Sequence, residues 1–307
     1  MPAAPSPGVF QLVNGGAEVV NALCDAEEVR ALTFVGSSKV AELVAQRCHA
    51  LNKRVLSLGG AKNHLVALPD ANMEMTTQDV VASFAGCAGQ RCMAASALIL
   101  VGDTGPLLEM IKAKAGALKR GVAAGEVGAI IDKASRDRIV GYINEAEKLG
   151  VEVLLDGRSW AKEEKGSWVG PTILLHKSAE EPAMTAEIFG PVLSVIKVDT
   201  WEEALAIENN NPYGNAACIY TTVGAHAEHF ETRFRAGMVG VNIGVPVPRE
   251  PFSFGGMYGT LSKYGDMDIT GEGGMEFFTN RRKITTKWAY PKSKTQEADA
   301  ANFAGKM

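Results

Sequence analysis

The sequence has no long apolar run. No stretch approaches the ~18 consecutive apolar residues of a membrane-spanning helix, so a membrane is not an expected partner. It also lacks a Lys/Arg run and carries a net charge of −4, so the electrostatic footprint of a nucleic-acid binder is missing. The five cysteines (Cys24, Cys48, Cys87, Cys92 and Cys218) include no Cys-x-x-Cys pair. An odd number without such spacing fits a reducing compartment better than a disulfide framework. The five histidines (His49, His64, His176, His226 and His229) have no zinc-ligand spacing, so no metal site is expected. There is no Gly-x-Ser-x-Gly elbow, no phosphate-loop motif, and no Gly-x-Gly-x-x-Gly after a strand. The first ten residues have neither the charged start and apolar core of a signal peptide nor the Arg-rich character of a transit peptide, and no targeting segment is visible.

What remains is ordinary globular material: 307 residues, 46% apolar and 21% charged, enough for about two domains. Short apolar runs alternate with helical periods. Strands are expected at Val9–Val13, Ala31–Val35, Arg54–Leu58, His64–Leu68, Val151–Leu155, Val169–Leu175, Val192–Val198, Ala216–Thr221 and Met238–Asn242. After Gly36-Ser37-Ser38 a helix carries Val40, Leu43, Val44, Cys48 and Leu51 on one face. A second helix is expected from Ser135, read as its N-cap, to Gly150. This alternation indicates an α/β fold with a mostly parallel sheet. Residues 156–168 read as a solvated excursion and the glycine- and proline-rich stretch 244–274 as a long ordered loop. Lys283–Tyr290 reads as a terminal strand, and Lys292–Met307 is expected to be disordered.

Two places carry chemistry. An isolated intracellular cysteine is usually a small buried hydrophobe, which suits Cys24, Cys48 and Cys218. Cys92 differs, because Gly86, Gly89, Gln90 and Arg91 interrupt a helical pattern and bring a cation beside the sulfur. Reactive thiols need such an electropositive setting. Gly36-Ser37-Ser38, between a strand and a helix, can place free backbone N–H groups at a phosphate, although serine at an N-cap is also ordinary structure.

Taken in order along the chain, six segments resemble the aldehyde dehydrogenase superfamily. They are Thr33-Phe34-Val35-Gly36-Ser37, Leu58-Gly59-Gly60-Ala61-Lys62-Asn63, Gly89-Gln90-Arg91-Cys92, Glu187-Ile188-Phe189-Gly190-Pro191-Val192, Asn210-Asn211-Pro212-Tyr213-Gly214 and Gly240-Val241-Asn242. Within it, Gly60-Ala61-Lys62-Asn63-His64, Pro69-Asp70-Ala71-Asn72 and Pro251-Phe252-Ser253-Phe254 are similar to the CoA-acylating methylmalonate-semialdehyde dehydrogenases. The resemblance implies a partial doubly wound NAD-binding unit (1–60), a catalytic α/β domain (61–255), a loop and oligomerisation arm (256–291) and a tail (292–307). It assigns Cys92 as nucleophile, Arg91 to the substrate carboxylate, Gly36 and Ser37 to the cofactor diphosphate, and Glu187 and Phe189 to the nicotinamide end of NAD.

Hydrolytic members carry a Glu general base 34 positions before the nucleophile. Here that position is Leu58, which cannot activate water, so coenzyme A is the expected acyl acceptor. The implied reaction converts malonate or methylmalonate semialdehyde to acetyl-CoA or propionyl-CoA with loss of CO₂, in a homo-oligomer. The family is mitochondrial in eukaryotes and cytoplasmic in bacteria. Its members are longer, and the resemblance places the start of this chain inside the cofactor domain, without the first strands, the oxyanion-hole Asn and a ribose-contacting Lys. Two other readings stand beside this one: a hydrolytic aldehyde dehydrogenase, and a non-catalytic subunit joining full-length protomers through the strand near Ile284–Tyr290.

Overall fold

The computed structural model describes residues 6–163 and 165–288. In chain order the elements are α1 (Ala17–Asp25), β1 (Ala31–Val35), α2 (Ser38–Ala50), β2 (Arg54–Leu58), β3 (Asn63–Ala67), α3 (Met73–Ala85), β4 (Ala95–Val101), α4 (Leu107–Gly116) and α5 (Lys133–Lys148). There follow β5 (Glu152–Leu155), β6 (Thr172–His176), α6 (Pro182–Thr185), β7 (Val192–Val198), α7 (Trp201–Asn210), β8 (Ala216–Tyr220), α8 (Gly224–Glu231), β9 (Met238–Val241), β10 (Lys263–Tyr264) and α9 (Gly271–Phe277).

β1, α2 and β2 form one βαβ unit. The two strands run parallel, with Ala31 opposite Arg54 and Val35 opposite Leu58. α2 buries Ala41, Val44, Ala45 and Cys48, and its Cys48 meets Cys24 of α1, Val55 of β2 and the partly buried Phe34 of β1. β10 adds to β2 antiparallel, so residues 256–277 return to this small sheet, and Phe277 of α9 packs on Leu56 and Leu58. The sheet order is β1-β2-β10, which leaves the outer edge of β1 unpaired among the described residues.

The second sheet has the order β5-β6-β7-β4-β3-β8-β9, parallel except for β5 against β6. Strands buried on both faces are expected to be apolar at nearly every position, and β4 (Ala-Ser-Ala-Leu-Ile-Leu-Val) is such a strand. The two-residue period sends Leu98 and Leu100 to the layer holding Phe84, Ile111, Ile139 and Ile143. Ile99 faces the other layer, with Ala204 of α7 and Phe230 of α8. The first residues of β3, β4 and β8 (Asn63, Ala95 and Ala216) come together at the amino-terminal edge of this sheet, which also receives the segment carrying Cys92.

The α/β expectation holds, and β1, α2, β2 and β7 lie where the pattern puts them. Six local expectations do not hold. Of the expected apolar face of α2, Val40, Leu43 and Leu51 are 40–56% exposed. The stretch 244–274 is not all loop, since it holds β10 and the start of α9. Val9–Val13 is no strand; its apolar side chains are 62–80% exposed, because β-propensity makes a strand only where a neighbour completes the ladder. The second helix starts earlier than Ser135: Asp132 is the N-cap, and its carboxylate accepts from the Ser135 N–H at 2.7 Å. Residues 156–168 are only partly solvated, since Arg158 ties Asp156, Asn144 and Glu147 together and Trp160 packs on the core. Lys283–Trp288 form no strand, while Ala289 and Tyr290 lie outside the described residues, as does Lys292–Met307.

Candidate active site

The segment leading to Cys92 reverses direction sharply. α3 stops at Gly86, and Cys87, Ala88 and Gly89 all take positive φ (53°, 53° and 68°). Left-handed backbone in two residues that have side chains costs energy and marks a conformation imposed by its surroundings. At Gly89 that surrounding is visible: a Cβ there would stand 2.0 Å from the Gly190 carbonyl oxygen. Only glycine lets the turn lie against Gly190-Pro191. Gln90 fastens the next step, with Nε2 donating to the Ala129 carbonyl at 3.0 Å and Oε1 accepting from the Ile131 N–H at 2.9 Å.

Arg91 turns back on α3. Its Nη2 donates to the Ala82 and Ser83 carbonyls, each at 2.8 Å, which satisfies carbonyls at a helix end. Its Nε–H is buried with no partner, and the side chain lines the same cleft as Cys92. The expectation of a thiol activated by its neighbouring cation needs correction. Burial pushes the Cys92 thiol above its ordinary pKa, and the nearby Glu187 carboxylate adds to this. The N–H groups of Cys92 and Met93 and, least of all, the Arg91 charge pull it down. Desolvation outweighs the cation here.

Across the cleft from Cys92 stand Lys62, Glu187 and Phe189. Glu187 Oε1 accepts from the Ala61 N–H at 2.9 Å, and burial raises its pKa against the opposing pull of that N–H, Arg138 and Lys62. Phe189 is 39% exposed with φ 52°. The segment Glu187–Gly190 therefore presents one carboxylate and one aromatic face to the cleft. Lys62 is buried, donates to the Ala183 carbonyl at 2.7 Å, and is pushed down to about 7, chiefly by burial, with Glu187 opposing.

Next to it, buried His64 is pushed down to about 3, by burial first and the Lys62 charge second. Its imidazole stays neutral in the fold but takes up a proton in the unfolded chain below about pH 6.5. The stability it contributes is present above that pH and is lost as the pH falls toward 3. Glu208, raised to about 7 by burial, acts in the opposite sense between about pH 4.5 and 7. Comparing wild type with His64→Asn isolates the histidine, because Glu208 contributes to both. The melting temperature of the wild type relative to the variant is expected to drop by about 5 °C between pH 7 and 4.5. Parallel curves would contradict the neutral assignment.

Gly36 and Ser37 lie elsewhere, at the carboxyl end of β1 and the start of the 13-residue α2. Ser37 is the N-cap, but its hydroxyl makes no capping hydrogen bond, and the first turn holds no acidic residue. Gly36 N–H donates to the Leu58 carbonyl at 3.1 Å. The exposed α2 terminus thus keeps backbone N–H groups available for an anion. Leu58 itself is 5% exposed, and its side chain packs with Leu56 and Phe277.

Two residues went unassigned in the sequence, Asn63 at the end of one recognised segment and Asn215 just after another. Asn63 and Asn215, both buried, donate to the Cys92 carbonyl oxygen at 2.7 and 2.9 Å. Both partnerships span long stretches of chain, so spacing offers no signal for them. Lys62, quoted in two of the recognised segments, was likewise given no role.

An α/β chain with a buried-strand sheet, a cysteine on a left-handed turn at its amino-terminal edge, and a Glu-x-Phe-Gly segment across a cleft has an aldehyde dehydrogenase-like scaffold. The chain belongs to the aldehyde dehydrogenase family, whose sequence profile matches residues 3–284. It is 39% identical over 286 residues to malonate-semialdehyde dehydrogenase 1 of Geobacillus thermodenitrificans, covering 92% of this chain and 59% of that protein. Among solved structures, the methylmalonate-semialdehyde dehydrogenase of Oceanimonas doudoroffii superposes with a TM-score of 0.87 at 36% identity, over 91% of this chain and 58% of the other. A candidate methylmalonate-semialdehyde dehydrogenase of Sinorhizobium meliloti 1021, solved in complex with NAD, gives 0.86 at 32% identity, over 91% and 58%. The chain spans a little over half the length of the relatives it matches.

Proposed function

We propose that this chain carries the thiol chemistry of an NAD-dependent, CoA-acylating oxidation of malonate or methylmalonate semialdehyde. The observation that carries the reading is Cys92 itself. It stands on a constrained turn in a cleft with Arg91, Lys62 and Glu187, while Leu58, which the resemblance sets at the place of a water-activating carboxylate, is apolar and buried against Leu56 and Phe277.

The residues present fit a dinucleotide. The α2 terminus at Gly36 and Ser37 suits the diphosphate, and Glu187, with its second oxygen not committed to Ala61, suits a ribose hydroxyl. When bound, NAD supplies the hydride acceptor. The chain's own residues do the rest. Cys92 gives its thiol proton to solvent and its sulfur adds to the aldehyde carbon, and the backbone N–H groups of Cys92 and Met93, which favour the ionised sulfur, suit the oxyanion. Arg91, which lines the cleft beside Cys92, suits the substrate carboxylate, since guanidinium pairs with carboxylate in planar geometry. After oxidation the acyl group stays on Cys92 as a thioester, the β-carboxylate leaves as CO₂ with a solvent proton replacing it on the α-carbon, and the coenzyme A thiolate takes the acyl group and releases the Cys92 thiolate.

Following NADH from malonate semialdehyde with and without coenzyme A tests this reading. Sustained turnover only with coenzyme A, and at most about one NADH per chain without it, is expected. Equal steady rates in both would favour the hydrolytic alternative. A folded chain that forms no NADH under either condition would overturn the claim that this polypeptide is catalytic.

A second reading has one observation in its favour. Among the described residues the outer edge of β1 is unpaired, and beside it Val35, Val40 and Leu43 are 40–60% exposed; an exposed edge is open to a strand from another chain. On this reading the chain joins longer protomers of its family, and co-expression with one would yield mixed oligomers.

A further inference from the structure

We propose that Asn63 and Asn215 are positioning residues for the nucleophile: together they lock the peptide between Cys92 and Met93 so that its N–H faces the Cys92 sulfur and steadies the thiolate. The proposal rests on Cys92 being the reactive thiol, but concerns groups that touch neither substrate nor cofactor.

The geometry is specific. Asn63 Nδ2 donates to the Cys92 carbonyl at 2.7 Å and to the Ala94 carbonyl at 2.8 Å. Asn215 Nδ2 donates to the same Cys92 carbonyl at 2.9 Å and approaches the Met93 sulfur at 3.2 Å. Asn63 Oδ1 accepts from the Ala216 N–H at 3.1 Å and lies 3.4 Å from Asn215 Nδ2. The pair thereby joins the starts of β3 and β8 to the cysteine turn. The two side chains are 3% and 7% exposed, so water does not compete for these bonds.

A carbonyl oxygen has two lone pairs, and both asparagines address this one. In a trans peptide the N–H points opposite to the C=O. Holding the Cys92 carbonyl on the β3/β8 side therefore turns the Met93 N–H away from that side, where it favours the ionised form of the sulfur. Donors on the carbonyl also polarise the amide and strengthen its N–H as a donor. The charged groups facing the sulfur are Glu187 and Lys62 from across the cleft and Arg91 from its own turn. From β8 and β9 the neighbours are apolar, Ala216 and Met238.

The readout is thiol alkylation, which needs no turnover. Iodoacetamide reacts with the thiolate, and trypsin cuts after Arg91, so the peptide bearing Cys92 separates from that of Cys87. Asn215→Leu removes the donor at nearly constant volume, and Asn63→Asp removes a donor while keeping the acceptor for Ala216. In both, the pH midpoint of Cys92 alkylation is expected to move up by about one unit, with roughly tenfold slower reaction at pH 8. Asn211→Ala, another buried asparagine whose Oδ1 serves only the Tyr213 N–H, is expected to leave the profile in place. Alkylation of buried Cys24, Cys48 or Cys218 signals unfolding, in which case Asn215→Ser, with less bulk, carries the test. An unchanged Cys92 midpoint in folded Asn215 and Asn63 variants overturns the proposal. A shifted midpoint without NADH formation keeps this proposal and removes the aldehyde oxidation instead.

Discussion

Cys92→Ser is expected to form no measurable NADH from malonate semialdehyde, a loss of at least about 10⁴-fold, while melting within a few degrees of the wild type. Hydroxyl replaces thiol at nearly the same volume, so the turn survives. The hydrogen bonds that seat the residue go to its backbone carbonyl, from Asn63 and Asn215, and the substitution leaves them intact. The chemistry does not survive. A serine alkoxide is far harder to form than a thiolate, and burial beside Glu187 already opposes an anion at this position. Among the described residues the cleft offers no histidine to remove the proton, and the hydroxyl stays a hydroxyl. Initial rates with NAD and coenzyme A, read beside a melting curve, check this. Turnover within tenfold of the wild type would remove Cys92 from the reaction.

The second large effect is on the fold around the nucleophile. Gly89→Ala is expected to lower stability by about 2–4 kcal/mol and to slow NADH formation strongly. Left-handed backbone alone costs an alanine about 1–2 kcal/mol. The new Cβ would also meet the Gly190 carbonyl oxygen at 2.0 Å, which is backbone and cannot rotate away. Either the cysteine turn or the Gly190-Pro191 segment must move, and Glu187 and Phe189 move with the latter. Gly125→Ala separates the two causes, since its φ is +84° but a Cβ there meets nothing within 4 Å. It should lose only the conformational part. Thermal melts of the two variants side by side give the comparison; equal losses would show that the contact with Gly190 does not constrain the site.

Part of this molecule was legible in the sequence because its causes are local. Val44 and Cys48 repeat at helical spacing, and both lie on the buried face of α2, which follows Ser37. Val192–Val198 is apolar at nearly every position, and β7 lies between two parallel neighbours. Val9–Val13 has the same local look and makes no strand, because pairing is decided by what lies alongside rather than by the run itself. The site divides along the same line. Gly-Gln-Arg-Cys marks the nucleophile turn, but that the Arg91 guanidinium reaches back to Ala82 and Ser83 depends on three successive positive φ angles. That Asn63 and Asn215 meet on one carbonyl depends on β3 and β8 being neighbours, a property of the sheet order and not of either segment.

The central claim is that Cys92 carries the acyl group. Incubating the protein with malonate semialdehyde and NAD, without coenzyme A, and weighing the tryptic peptide that begins at Cys92 tests it most directly. The account predicts the mass of one acyl group on that peptide, removed when coenzyme A is added and absent from Cys92→Ser. An unmodified Cys92 peptide alongside NADH formation, or an acyl group on any other residue, would contradict it.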